Sequence, residues 1–254
     1  MELNYKSYGQ GPALIILHGL FGSLDNWATH ARILSEHFSV YLVDQRNHGR
    51  SPHDEVWTYA AMAADLDAFM DRQGIIRAYL LGHSMGGKTV MQFTSEYPER
   101  VEKLIVADMG IRAYRRHHDD ILETLRGMDL SRIGSRQEAE ARMAEGIPDP
   151  MVRQFLLKSL VRQEQGGFAW KFNFPVIYRE YERILEAVPF AHPADTPVLF
   201  LTGGLSHYVR PDDHAEILRW FPRAQFQAIP DAGHWLHAEQ PEAFIQAVLA
   251  YLAA

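Results

Sequence analysis

The chain contains no cysteine. That excludes disulfides, a thiolate nucleophile and any metal centre built on cysteine ligands. It has no excess of positive charge either: 25 Lys and Arg against 32 Asp and Glu leave a net charge of −7. A nucleic-acid-binding surface needs clustered Lys and Arg, so nucleic acid is not expected as a partner. Apolar runs are short, and none approaches the roughly 20 residues that a membrane span requires. The opening Met1-Glu2-Leu3-Asn4-Tyr5-Lys6 shows no basic region followed by an apolar stretch, so no signal peptide is expected. These absences lead to the expectation of a cytoplasmic protein, monomer or homodimer, acting on a small molecule without a metal or cofactor.

What is present is an ordinary globular composition, 47% hydrophobic and 22% charged. A length of 254 residues suits one large α/β domain, or one domain with an insertion. The most informative stretch is Leu80-Leu81-Gly82-His83-Ser84-Met85-Gly86-Gly87. An apolar run from Ala78 to Leu81 reads as a buried strand, and Lys88 to Phe93 has helical spacing. A strand that turns into a helix at one residue forces that residue into a strained conformation. Side chains two positions to either side would then collide, which calls for glycine at 82 and 86. Ser84 is thereby held out at a helix N-terminus, in a nucleophile's position.

The rest of the chain alternates strand and helix. Glu2 to Tyr8 reads as an edge strand, and Ala13 to Leu17, Val40 to Val43, 77–81 and Leu104 to Ala107 as central strands. Helices are expected over 25–36, with Asp25 as cap, over about 58–73, and after Ser84 as far as Tyr97. Such alternation implies a mostly parallel sheet with helices on both faces, and ligands bind at the carboxyl edge of such sheets. His18-Gly19, Asp44, Ser84 and Asp108 all fall there.

From about Ile111 to Phe190 no convincing strand is visible; the segment is charged and helix-prone. Some 80 residues is too long for a connecting loop, so a helical cap over 111–190 is expected, inserted into a core formed by 1–110 and 191–254. Strands resume at Pro197 to Thr202 and Phe226 to Ile229, with helices over Pro211 to Trp220 and Pro241 to Leu252.

A serine nucleophile needs a base, itself oriented by a third group. Among 13 histidines, His234 follows the last strand, on the same edge as Ser84. His83 points away from the serine, and His18 reads as a structural histidine bonding the backbone. For the acid, the loop after the penultimate strand, 203–209, holds no carboxylate. Asp108, at the end of the strand following the Ser84 helix, is favoured; Asp212 or Asp213 is the alternative, although Pro211 suggests that they open a helix. The backbone N–H of Met85 and that of Leu20 are candidate oxyanion donors. Phe21, Trp170, Phe172, His207 and Tyr208 are candidate substrate contacts, although Trp170, Phe172 and Phe174 are equally readable as core of the inserted segment. His117-His118-Asp119-Asp120 reads as a solvated charge run, because consecutive residues on a helix face different ways. Arg46-Asn47-His48-Gly49-Arg50 reads as a structural loop.

Leu17 to Ser23, Asp44 to Ser51, Gly82 to Lys88 and Gly233-His234, in this order, resemble the α/β-hydrolase superfamily. More narrowly, they are similar to small bacterial esterases of the YbfF type and the related abhydrolase-11 proteins. The resemblance spans the chain. It implies the α/β-hydrolase fold with a helical cap, and a serine esterase that forms an acyl-enzyme on short-to-medium acyl esters or thioesters. It also implies that the triad acid can follow the strand after the Ser84 helix, in favour of Asp108, whereas the wider superfamily carries its acid where Ser206 stands here. Because one triad serves several reactions on this fold, cofactor-free perhydrolysis, C–C bond hydrolysis and a ligand-binding receptor are the alternatives.

Overall fold

The computed structural model describes all residues from Met1 to Ala254. In chain order, β1 (Tyr5–Tyr8), β2 (Ala13–Leu17), α1 (Ala28–Leu34), β3 (Ser39–Val43), α2 (Tyr59–Gln73), β4 (Ala78–His83), α3 (Met85–Glu96) and β5 (Val101–Ala107) form the first part. Then come α4 (Asp119–Gly127), α5 (Arg136–Ala144), α6 (Pro150–Leu157), β6 (Leu160–Arg162), β7 (Phe168–Trp170) and α7 (Phe174–Leu185). The chain closes with β8 (Val198–Gly203), α8 (His214–Trp220), β9 (Ala224–Ile229), α9 (Leu236–Glu239) and α10 (Pro241–Ala253).

Seven strands make one sheet in the order β1-β3-β2-β4-β5-β8-β9. Only β1 runs antiparallel, pairing Tyr5 with Val43 and Tyr8 with Val40. The inner strands are mostly apolar because both of their faces are covered. On one face the chain packs Leu17, Leu80, Val106 and Phe200 against α2 and α3; on the other, Ile16, Leu81, Ala107 and Leu201 meet Trp27, Leu34 and Phe244. The fold is therefore α/β with a mostly parallel sheet between two helical layers, as expected. The sheet order places β4, the strand that precedes Ser84, at its centre.

Residues between β5 and β8 add no strand to this sheet. Their apolar side chains build a third cluster around Leu122, Met143, Leu156, Phe172, Ile177 and Tyr181, which also takes in Leu20, Phe21 and Met85 from beside the elbow. The expectation of no strand here is corrected by a small antiparallel hairpin, β6–β7, with Leu160 opposite Trp170 and Arg162 opposite Phe168. Two three-residue strands are too short to leave an alternating pattern, and the turn depends on Gly166 and Gly167 at positive φ. The first helix also begins differently. Residues 24–27 form a 3₁₀ turn capped by Ser23, whose N–H donates to Asn26 Oδ1 at 2.7 Å. Asp25 instead pairs with Lys6 at 2.7 Å and Lys171 at 3.3 Å.

Candidate active site

The turn from β4 into α3 has the conformation that the glycine spacing requires. Ser84 sits at φ 54°, ψ −118°, a region in which non-glycine residues are strained. A Cβ on Gly82 would lie 2.2 Å from Gly86 O, and one on Gly86 would lie 2.5 Å from Leu17 O. The second glycine is thus demanded by the backbone of the neighbouring strand as much as by the turn itself. Gly19 packs against the elbow too, with a hypothetical Cβ 3.2 Å from Ser84 Cβ.

Asp108 also follows a strand end with positive φ, 48°, and is wholly buried. Its carboxylate accepts three hydrogen bonds: Gly203 N–H to Oδ1 at 3.1 Å, and Ser206 Oγ at 2.5 Å and His234 Nδ1 at 2.7 Å, both to Oδ2. With three donors its hydrogen-bonding needs are met within the protein, and the contact with Oδ2 sets the His234 tautomer with Nδ1 protonated and Nε2 free to accept a proton. Ser84 and His234 line one cavity of about 200 Å³. No hydrogen bond joins them, and catalytic pairs of this kind often close only around substrate. Asp213 is occupied elsewhere: it accepts from Arg210 N–H at 2.8 Å and pairs with Arg112 at 3.3 Å. Asp212 is exposed beside it.

The loop after β2 presents donors to the same place. Phe21 N–H donates to His48 Nε2, Gly22 N–H to Gly19 O, Ser23 N–H to Asn26 and Leu24 N–H to Asp44. That leaves Gly19 and Leu20 as the free N–H groups of the loop. Met85 N–H is free by its place in the first turn of α3. Leu20, Ser84 and Met85 share a narrow recess of about 20 Å³ walled by Met109, Ile184 and Leu185.

The neighbouring histidines are held neutral. Burial, and then the charge of His234, lowers His83 to about 3. Its Nε2 donates to His234 O at 2.9 Å, so His83 supports the backbone of the next histidine. Burial also lowers His18, whose Nε2 accepts from Gln45 N–H at 3.1 Å and whose Nδ1 bonds Gly19 O at 2.8 Å. Arg46 is bound to Asp65 at 2.6 and 3.0 Å, within a structural loop.

The candidate substrate contacts divide. Phe21 lines the 200 Å³ cavity. Tyr208 stacks on His234 at 3.9 Å between ring centres and reaches the recess. Exposed His207 lines an open outer cavity with Arg115, Arg210 and His234. Trp170 and Phe172 are not brought to the serine: they stack on each other at 5.1 Å, Phe172 meets Phe21 at 5.1 Å and belongs to the third core cluster, and half-buried Trp170 packs against that cluster.

Within the run from His117 to Asp120, His118 alone departs from the solvated reading, since the other three are exposed; the helical placement of the two histidines also needs correcting. They precede α4, so the argument from helix faces does not apply to them. His117 Nε2 meets Tyr208 Oη at 2.6 Å and His118 Nδ1 meets Tyr181 Oη at 2.7 Å. His118 lines both the cavity and the recess beside Ser84, and burial lowers its pKa to about 3. The other residue missed from the sequence is Ser206, which donates to Asp108 from the loop where no carboxylate was found. Its sole signal was the emptiness of that loop.

A strained serine, a histidine committed to a buried carboxylate and free N–H groups around one cavity suit nucleophilic acyl transfer. No helix is long and apolar enough to cross a membrane. A family model described as alpha/beta hydrolase fold matches residues 12–241. The chain is 42% identical to Esterase YbfF of Escherichia coli over 242 residues, covering 94% of this chain and 92% of that protein. It is 37% identical to the mouse sn-1-specific diacylglycerol lipase ABHD11, over 95% of this chain and 81% of the relative. Among solved structures it matches a marine microorganism esterase with a TM-score of 0.96 at 43% identity, covering 98% of both chains.

Proposed function

The chain belongs to the α/β-hydrolase fold family, and within it we propose a serine esterase that cleaves short-to-medium acyl esters or thioesters through an acyl-enzyme. Relatives named esterase and lipase support the reaction class. The observation that carries the residue roles is the 2.7 Å contact from His234 Nδ1 to buried Asp108, with Ser84 in the same cavity.

In this reading His234 Nε2 takes the proton of Ser84 Oγ as the oxygen attacks the carbonyl carbon. Asp108 holds the imidazole in place and stabilises the imidazolium. Leu20 and Met85 N–H groups receive the oxyanion, each worth about 10²–10³ in rate. His234 then passes its proton to the leaving oxygen or sulfur, and water attacks the acyl-enzyme by the reverse route.

Because the leaving group must sit beside His234, it belongs in the cavities that His234 lines, and the acyl group goes into the recess behind Ser84, which His234 does not line. As it stands that recess admits the shortest acyl groups. The segment 111–190 acts as a cap, supplying Ile184, Leu185 and His118 to these walls. The test is release of p-nitrophenol from short-chain esters by the wild type and by Ser84→Ala; equal rates would sink the reading.

A further inference from the structure

Lys88 lies one turn after Ser84 on α3 and is fully buried. A buried ammonium costs several kcal/mol unless its protons are bonded, and this one is surrounded by acceptors. Nζ donates to Arg112 O at 2.9 Å, to Leu185 O at 3.5 Å and to Glu186 O. The rings of Tyr114 and Tyr59 lie 4.9 and 5.7 Å from it. Three donors meet three carbonyls, and those carbonyls come from two places: the start of the 111–190 segment and its return at the end of α7.

We propose that Lys88 is a positioning residue for the reaction, tying the helix that carries Ser84 to both roots of the 111–190 segment and so fixing the wall of the acyl recess. The wall is continuous with the tie. Tyr114, Ile184 and Leu185 line the recess opposite Ser84 and Met85. Tyr114 N–H donates to Leu185 O at 2.8 Å, and Tyr59 Oη donates to Ile184 O at 2.8 Å. The carbonyls that end α7 are thus held by one cation and its two flanking tyrosines; the roots also bond each other directly, through Tyr114 and through Val188 N–H to Ile111 O at 2.9 Å, and Lys88 ties both of them to the helix that follows Ser84. A neutral side chain there leaves the paired roots free to move away from the Ser84 helix and the recess to lengthen. This inference rests on the assignment of the acyl group to the recess behind Ser84.

The experiment compares kcat/KM for p-nitrophenyl hexanoate and acetate in the wild type, Lys88→Met and Thr94→Val. Thr94 is buried on the same helix and its hydroxyl bonds only Val90 O. The hexanoate-to-acetate ratio is expected to rise about tenfold in Lys88→Met, the scale on which a pocket discriminates methylenes, and to stay unchanged in Thr94→Val. A lower melting temperature in Lys88→Met with an unchanged ratio overturns the inference and leaves Lys88 a purely structural residue. Loss of both activities in Ser84→Ala tests the esterase reading separately.

Should Lys88→Met not fold, the wild type carries the test. Burial, and secondarily Arg112, lowers Lys88 to about 7, while Glu186 opposes the fall. The other groups that face it are the phenols of Tyr59 and Tyr114, both raised by burial. Deprotonation removes one of the three donors. The ratio is therefore expected to rise between about pH 6 and about pH 8.5, and any effect that acts equally on both substrates cancels from it. A ratio that is flat over that range overturns the inference.

Discussion

The strand-end loops and the 111–190 segment both face Ser84, but they hold their groups by different means. Ser84, Asp108 and Gly19 are set by the backbone: two strained residues at strand ends and a glycine on which a Cβ would lie 3.2 Å from Ser84 Cβ. Their placement follows from the register of β2, β4 and β5, which cannot slip without moving a whole buried strand. The segment contributes His118, Tyr114, Ile184 and Leu185 through side chains that rest on its own apolar cluster and on the contacts at its two roots. The first region suits chemistry, which tolerates little displacement. The second suits selection among substrates, where movement of the wall changes which acyl group fits.

The largest effects should therefore come from strand ends. Ser84→Ala is expected to lower kcat by about 10⁶, the scale of losing a triad nucleophile. Asp108→Asn should cost about 10⁴, because the amide favours the wrong His234 tautomer, while exposed Asp212→Asn should stay near wild type. If the Asp212 substitution proves the more damaging, the backbone-set half of the comparison has the wrong acid.

A third test crosses the two regions. Burial lowers His48 and His83, beside the strand ends, and His118, in the segment, to about 3 from an ordinary 6.5. Below pH 6.5 the unfolded chain binds protons that the folded chain refuses, so stability falls as the pH drops from 6.5 towards 3 and is unaffected by these groups above about pH 7. Each histidine contributes at most ~1.4 kcal/mol per pH unit. Denaturation midpoints measured from pH 7 to 4 should decline steeply, and His118→Leu should remove one share of that slope. An unchanged slope would mean that the segment leaves His118 solvated.

The smallest effect concerns the roots. Tyr59→Phe removes the hydrogen bond to Ile184 O at 2.8 Å, costing about 1 kcal/mol and roughly 2–4 °C in Tm for a chain of this length. A loss several times larger in a thermal scan would place the roots among the rigid parts of the molecule.

The strand ends were legible in the sequence because each signal is local. An apolar run marks a buried strand, glycines flank the strained residue, and His234 follows the last strand in a turn of its own. The segment was less so. The three-residue strands β6 and β7 carry no periodicity, and Trp170 and Phe172 could be core or pocket until their stacking partners were known. His117 and His118 looked like part of a charged helix because nothing local marks where α4 begins. Ser206 was visible only as the absence of a carboxylate.

By itself, then, the sequence determined the α/β architecture, the elbow at Ser84 and the histidine that shares its edge, since steric limits on adjacent residues act over a few positions. Tertiary structure alone decided what depends on residues far apart in the chain. It chose Asp108 over Asp213 as the partner of His234, 126 positions away. It drew His118 into the cavity, and it brought Arg112 and Glu186 to one buried ammonium 24 and 98 positions from them. Buried charges and polar groups must find partners wherever the fold supplies them, and no local pattern encodes that meeting.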